Sequence, residues 1–191
     1  MSKLAFLIFV SCVLLATFSF SKTGSAETKV SGDTETAILA GGCFWCMEHP
    51  YEDLPGVSKV ISGYTGGKKK KPTYKEVASG STLHVEAVEV HFDPAKISYS
   101  DILEIFWRNI DPTDAGGQFV DRGKQYTTGI FYKNKQQKQV AQASKKSIEG
   151  SKRFSKKIIT KIVKAGAFYR AEEYHQDFFK KSYIRYRVYR A

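Results

Sequence analysis

Apolar residues follow two different periods along this chain. "ETAILAGG", residues 35–42, is apolar from Ala37 to Ala40 and ends in two glycines, and it reads as a buried strand. "CFWCMEHPYEDL" follows and predicts a helix that stops at "PGV". Pro50 either kinks this helix or starts its second half. "VSKVISGYTGG" reads as a second strand, "KKKKPTYKEVASG" as a basic loop with a short helix, and "LHVEAVEVHFDP" as a third strand. "SYSDILEIFWRNI" is an amphipathic helix with Ile102, Leu103, Phe106 and Ile110 on one side, and Ser100 before Asp101 suits its start. "DPTDAGGQFVDRGKQY" is a long Gly/Asp-rich loop, of a length that is often functional. "YTTGIFY" is a strand, residues 134–149 a polar helix, "KKIITKIV" a strand and "RAEEYHQDFFKKSY" a final helix. Strands alternate with helices, so the pattern predicts one α+β domain with a mixed sheet and helices packed on it.

The first twenty residues break this pattern. Lys3 precedes an apolar stretch from Leu4 to Phe20, and small residues follow, with Gly24 and Ala26 spaced for a signal peptidase. Residues 1–26 therefore read as a signal peptide, residues 27–35 as a flexible linker and residues 36–191 as the folded domain. An uncleaved anchor is the alternative, but the stretch is short for a span. Phe9 and Val10 before Ser11 make a poor lipobox for Cys12. The expected product is exported, periplasmic or secreted, with no stable membrane insertion after cleavage.

Removal of residues 1–26 takes Lys3 and Lys22 from the 30 lysines and arginines and none of the 19 acids, which leaves 28 against 19 and a net charge of +9. The cations are scattered among Lys68 to Lys71, Lys145 and Lys146, Lys156 and Lys157, and Arg185 to Arg190. A solvated basic surface accounts for them better than nucleic-acid binding does.

Chemistry concentrates in "AGGCFWCMEH". Cys43 and Cys46 are the only cysteines after Cys12, too few for a disulfide-stapled scaffold. Their spacing is that of a redox dithiol. No second cysteine pair or paired histidine spacing supplies the further ligands that zinc needs, so no metal or other cofactor is expected. A thiol at a helix start is expected to be stabilised as the thiolate by free amides and the helix dipole. Phe44 and Trp45 point about 100° apart on a helix, so at least one is expected to face the site. Glu86 shares a strand face with His84, Val88, Val90 and Phe92. Desolvation there would raise its pKa and suit it to act as an acid, while a salt-bridged edge glutamate is the equal alternative.

"GGCFWCMEHPYEDLPGV", "SGYTGG", "PTYKEV", "HVEAVEV", "QYTTGIFY" and "AEEYHQDFF", in this order over residues 36–184, resemble the peptide-methionine (S)-S-oxide reductases. The resemblance implies an α/β plait (ferredoxin-like) arrangement of the central mixed sheet, with long loops. It implies reduction of the S epimer of methionine sulfoxide, free or in proteins, by a monomeric enzyme with a thioredoxin-like reductant. Carried over by motif, Cys43 would be the nucleophile and Glu86 the acid at the sulfoxide oxygen. Tyr74 and Tyr126 would hydrogen-bond that oxygen, Phe44 and Trp45 would hold the S-methyl group, and Asp121 would belong to the substrate loop. Many relatives resolve the sulfenic acid with C-terminal cysteines, but this chain ends "SYIRYRVYRA". The resolving role therefore falls on Cys46, as in the branch with "GCFWC", against the alternative of a buried helix cysteine. Another CxxC thiol–disulfide oxidoreductase is the competing reading. His84, Tyr174 and His175 are taken as fold support.

Overall fold

The computed structural model describes residues 34–190, so the expected signal peptide and nearly all of the linker lie outside the described residues. The first element, β1 (Glu35–Gly41), starts one residue earlier than the linker boundary expected. Ala37, Ile38, Leu39 and Ala40 are all buried, which is why this strand is apolar on both faces. After it come α1 (Phe44–Glu52), β2 (Val57–Thr65), α2 (Tyr74–Ala78), β3 (Val85–Phe92) and α3 (Tyr99–Arg108). The long loop holds a two-stranded hairpin, β4 (Gly117–Gln118) and β5 (Asp121–Arg122), and a 3₁₀ turn over Lys124–Tyr126. The chain continues through β6 (Thr128–Tyr132), α4 (Lys135–Gly150), β7 (Lys161–Lys164), β8 (Phe168–Arg170), α5 (Phe178–Lys181) and α6 (Tyr183–Arg190).

The result is one α+β domain on a six-stranded mixed sheet, with strand order β7-β6-β1-β3-β2-β8. Every neighbouring pair is antiparallel except β6 and β7, which run parallel across the α4 crossover. The larger core lies between the sheet and α1, α3 and α4, where Leu39, Val88, Val90 and Phe92 meet Phe44, Met47, Tyr51, Leu103 and Phe106. A smaller apolar layer of Ile38, Ala40, Ala87 and Phe131 covers the other face. Among the described residues no helix is long and apolar enough to cross a membrane.

Local chemistry explains where elements start and stop. Helix α3 is capped by Ser98, not by Ser100. The Ser98 hydroxyl accepts from Asp101 N–H at 3.2 Å, and the Asp101 carboxylate accepts from Ser98 N–H at 3.0 Å. Pro50 lies inside α1, at its seventh residue, and the helix ends two residues later. The final helix expected over residues 170–183 does not form. Residues 168–170 are strand β8, Glu173–His175 is a 3₁₀ turn, and Asp177 is left-handed at φ 52°, so the helical path is interrupted before α5.

Strand β8 anchors that C-terminal segment to β2 through Gly63 opposite Arg170. A Cβ on Gly63 would collide with the Tyr169 carbonyl oxygen and the Phe168 ring. Gly63→Ala is therefore expected to cost about 1–3 kcal/mol, read as a fall in Tm with faster amide exchange in residues 168–170. An unchanged Tm would show that the sheet does not need this close approach.

Candidate active site

The path from β1 into α1 places a thiol where the chain turns. Gly42 makes the turn at φ 92°, and a Cβ on it would stand 2.6 Å from Gln118 Cβ in the hairpin strand β4. Cys43 is the N-cap of α1, and its carbonyl accepts from Cys46 N–H at 3.0 Å and Met47 N–H at 3.2 Å. Only 7% of Cys43 is exposed, and neither Cys43 nor Cys46 is in a disulfide.

The thiolate expected at this helix start is not the resting state. A hydrogen bond with the Cys46 thiol, burial, and the charge of Glu86 hold the Cys43 proton in place and raise its pKa well above the ordinary thiol value. The first amide of the helix is also committed elsewhere: Phe44 N–H donates to Glu86 Oε2 at 3.0 Å.

Glu86 resolves the alternatives left by the sequence. It is 1% exposed on β3, opposite Tyr64 of β2, and is not a salt-bridged edge residue. Desolvation pushes its pKa up to about 8 against the opposing Phe44 hydrogen bond, with Asp121 and Cys46 adding to the rise. At neutral pH the carboxyl is protonated. With Oε2 accepting from the amide, Oε1 is the oxygen left to carry the proton.

Two phenols complete the polar side of the site. Tyr74 opens α2 and Tyr126 ends the 3₁₀ turn, and their hydroxyls are hydrogen-bonded to each other. Burial first, then the charge of Glu86, raises both phenol pKa values, so both remain proton donors. Asp121, in β5, is near enough for its charge to act on Cys43, Glu86 and Tyr126. The structure therefore gathers Cys43, Cys46, Glu86, Tyr74, Tyr126 and Asp121 in one place.

The two aromatics divide. Phe44 is 1% exposed, with its ring centroid 5.9 Å from Tyr64 and 4.8 Å from His175. Trp45 is half-buried; its indole stacks on Phe178 at 3.7 Å and its Nε1–H donates to His175 Nδ1 at 3.1 Å. Phe44 is the floor of the apolar side and Trp45 its more open wall.

The C-terminal segment contributes what the sequence reading assigned to fold support. His175 Nδ1 accepts from Trp45, so the ring proton lies on Nε2, and burial lowers its pKa and keeps it neutral. That Nε2 is buried and has no partner among the described residues, and the ring lies 4.3 Å from Tyr74. Glu172 accepts from Tyr64 Oη at 2.7 Å and from Tyr74 N–H at 2.8 Å, fixing the start of α2. The signal available was the "AEEYHQDFF" motif itself, but no periodicity linked it to residues 130 positions earlier.

A second carboxyl ties this wall to α1. Glu48 is buried and accepts from the backbone amides of Asp177 and Phe178, while Glu52 pairs with Lys180 at 3.4 Å. Burial raises Glu48 to about 7 from 4.5, with Glu52 and Asp177 adding repulsion. A folded-state pKa raised in this way means that the folded protein holds the proton more tightly. The stabilisation is complete below about pH 4.5 and is lost as pH rises toward 7. Glu48→Gln is expected to lose several degrees less of Tm than wild type between about pH 5 and about pH 8. Equal Tm losses would show that Glu48 is ionised throughout. Glu86 adds a slope of the same sign to both proteins.

The sequence model of the family described as "Peptide methionine sulfoxide reductase" matches residues 35–191. Peptide methionine sulfoxide reductase MsrA of Listeria innocua is 56% identical over 155 residues, which covers 81% of this chain and 88% of the relative. Among solved structures, reduced Mxr1 from Saccharomyces cerevisiae superposes with a TM-score of 0.71 at 31% identity, covering 78% of this chain and 86% of that one. Methionine sulfoxide reductase A of Corynebacterium diphtheriae gives 0.70 at 30% identity, covering 80% and 76%.

Proposed function

The chain belongs to the peptide methionine sulfoxide reductase family and is a peptide-methionine (S)-S-oxide reductase, and we propose that it works through Cys43, Glu86 and Cys46. One observation carries this reading: the buried carboxyl of Glu86 binds Phe44 N–H, the amide directly after the buried nucleophile candidate Cys43.

A sulfoxide sulfur resists a nucleophile until its oxygen gains a proton or strong hydrogen bonds. Glu86 gives its proton toward that oxygen, and Tyr74 and Tyr126 donate to it. Phe44 and Trp45 hold the S-methyl group, and Asp121 closes the substrate loop. Cys43 loses its proton as its sulfur attacks, and that proton replaces the one Glu86 has given. The sulfoxide oxygen ends on Cys43, so the products are methionine and a Cys43 sulfenic acid. Cys46 thiol then displaces the hydroxyl as water and forms the Cys43–Cys46 disulfide. The hydrogen bond between the two thiols supports this assignment, because it puts the second sulfur beside the first. A thioredoxin-type dithiol returns both cysteines to thiols and leaves as a disulfide.

The resting proton on Cys43 fits the cycle. A neutral thiol is protected from oxidation until substrate arrives. Once Glu86 has passed its proton to the sulfoxide, the polarised sulfur draws the Cys43 electrons.

The strand order β6-β1-β3-β2, with α1 and α3 as crossovers, supports the ferredoxin-like plait. The enzyme acts as a monomer after export, with residues 1–26 removed; sequencing of the mature N-terminus tests the cleavage. A start at Met1 in an exported fraction would overturn cleavage.

Wild type is expected to reduce only the S epimer of methionine sulfoxide with dithiothreitol, and Cys43→Ser to reduce neither. Insulin reduction without sulfoxide turnover would instead favour a general thiol–disulfide exchanger. Glu86→Gln keeps the amide contact but has no acid proton, so kcat should fall roughly a hundredfold to ten-thousandfold. The sulfoxide step of wild type should lose rate as pH rises through about 8, where Glu86 ionises, and a flat profile there would remove Glu86 as the acid. After one turnover without reductant, mass spectrometry should find the Cys43–Cys46 bond. A lasting sulfenic acid beside a reduced Cys46 would mean that an external thiol resolves it.

A further inference from the structure

The hairpin at the site carries an apolar tip that the reaction does not use. Phe119 and Val120 join β4 to β5, and they are 67% and 71% exposed. Phe119 is in the left-handed region at φ 51°, where a bulky residue is strained and glycine or asparagine would be easier. The tip is nevertheless held firmly. Arg122 makes two contacts with Asp114, at 2.6 and 2.9 Å, and also reaches the Phe119 carbonyl at 3.4 Å. Gly123 N–H donates to the Gly116 carbonyl at 2.8 Å, closing the base.

The hairpin is also fixed to the nucleophile's own turn. Gln118, one residue before Phe119, packs on Gly42 beside Cys43 and exchanges hydrogen bonds with Asp111 N–H at 2.7 Å and the Asp111 carbonyl at 2.9 Å. Asp121, one residue after Val120, belongs to the site. The tip thus rises from both ends of the site's rim as a rigid apolar projection.

A methionine sulfoxide whose sulfur lies at Cys43 fills the site with its side chain. Its backbone and neighbouring residues must leave over the rim. Methionine is a core residue, and its oxidation makes it polar and disrupts the packing around it. The residues that accompany an oxidised methionine out of such a core are apolar. Resting on the reductase reading above, we propose that Phe119 and Val120 form a docking platform for apolar residues flanking methionine sulfoxide in an unfolded polypeptide. The platform selects oxidised, locally unfolded protein over free methionine sulfoxide.

Three substrates and two variants test this with dithiothreitol as reductant: N-acetyl-methionine sulfoxide, a pentapeptide with leucine and phenylalanine beside the sulfoxide, and one with serines there. In Phe119→Ser/Val120→Ser, and in Phe119→Gly, which relieves the backbone strain, kcat/KM on the apolar pentapeptide should fall about tenfold. The other two substrates should change less than about twofold. A uniform fall on all three would mean that the tip only supports the fold, and no change on any would mean that it binds nothing there. Either result overturns the platform. A loss seen only when thioredoxin replaces dithiothreitol would assign the tip to the reductant and also overturn it. Failure of wild type on every sulfoxide would instead defeat the reductase reading beneath it.

Discussion

One hydrogen bond sets the chemistry of this molecule: Phe44 N–H to Glu86 Oε2, joining the first turn of α1 to β3 across 42 residues of sequence. A helix N-terminus has few free amides, and each serves one acceptor. Here the amide nearest the thiol serves a carboxyl. The carboxyl is desolvated by the sheet beneath it and keeps its proton despite that contact. The thiol, hydrogen-bonded to Cys46 and desolvated in the same site, also keeps its proton. Two protons are thus stored at rest, that of Glu86 by burial and that of Cys43 by the Cys46 hydrogen bond and burial. The fold maintains this by pairing β1 and β3 antiparallel, so that the end of β1 runs beside the start of β3, where Glu86 stands.

The apolar half of the site depends on a different attachment. Trp45 is held between a hydrogen bond to His175 and a parallel stack on Phe178, both from a segment with little regular structure. Among the points that secure that segment are β8 on β2, Gln176 on Ser62, Glu172 on Tyr64 and Tyr74, and Glu48 on the Asp177 and Phe178 amides. Two of these points are buried or half-buried carboxyls with backbone donors. The wall therefore owes its position to hydrogen bonding more than to helix packing, which is what the left-handed Asp177 requires.

How much of this was legible depends on whether the cause was local. The apolar run of β1, the alternation in β3 and the stripe of α3 each arise within a dozen residues, and each predicted its element. The gathering of Cys43, Cys46, Glu86, Tyr74, Tyr126 and Asp121 was legible only through motif resemblance, because four separate segments supply them. The resting proton on Cys43 was not legible. Helix position argues for a thiolate, and the Cys46 hydrogen bond, burial and the charge of Glu86 reverse that argument. The false final helix has the same origin. "RAEEYHQDFFKKSY" has helical composition, but the Glu48 contacts and the strand pairing of residues 168–170 outweigh local propensity. The start of α3 was misplaced by two residues because both serines suit a cap. The carboxylate of Asp101 reaches back three residues to Ser98, which selects between them.

The two glycines before Cys43 connect these separate demands. Gly41 packs its backbone against Met47 and Ile110, so the strand can end flush with the helix that follows. Gly42 turns the chain at a positive φ and leaves room for Gln118. A side chain at either position would push α1 away from the sheet or the hairpin away from α1. In the first case the Phe44 amide would leave Glu86. In the second, Asp121 and the apolar tip would leave the rim. The same absence of side chains therefore fixes both the inner geometry of proton and thiol and the outer geometry of the entrance. This explains why the most economical stretch of the sequence, four residues from Gly41 to Phe44, governs the site from floor to rim.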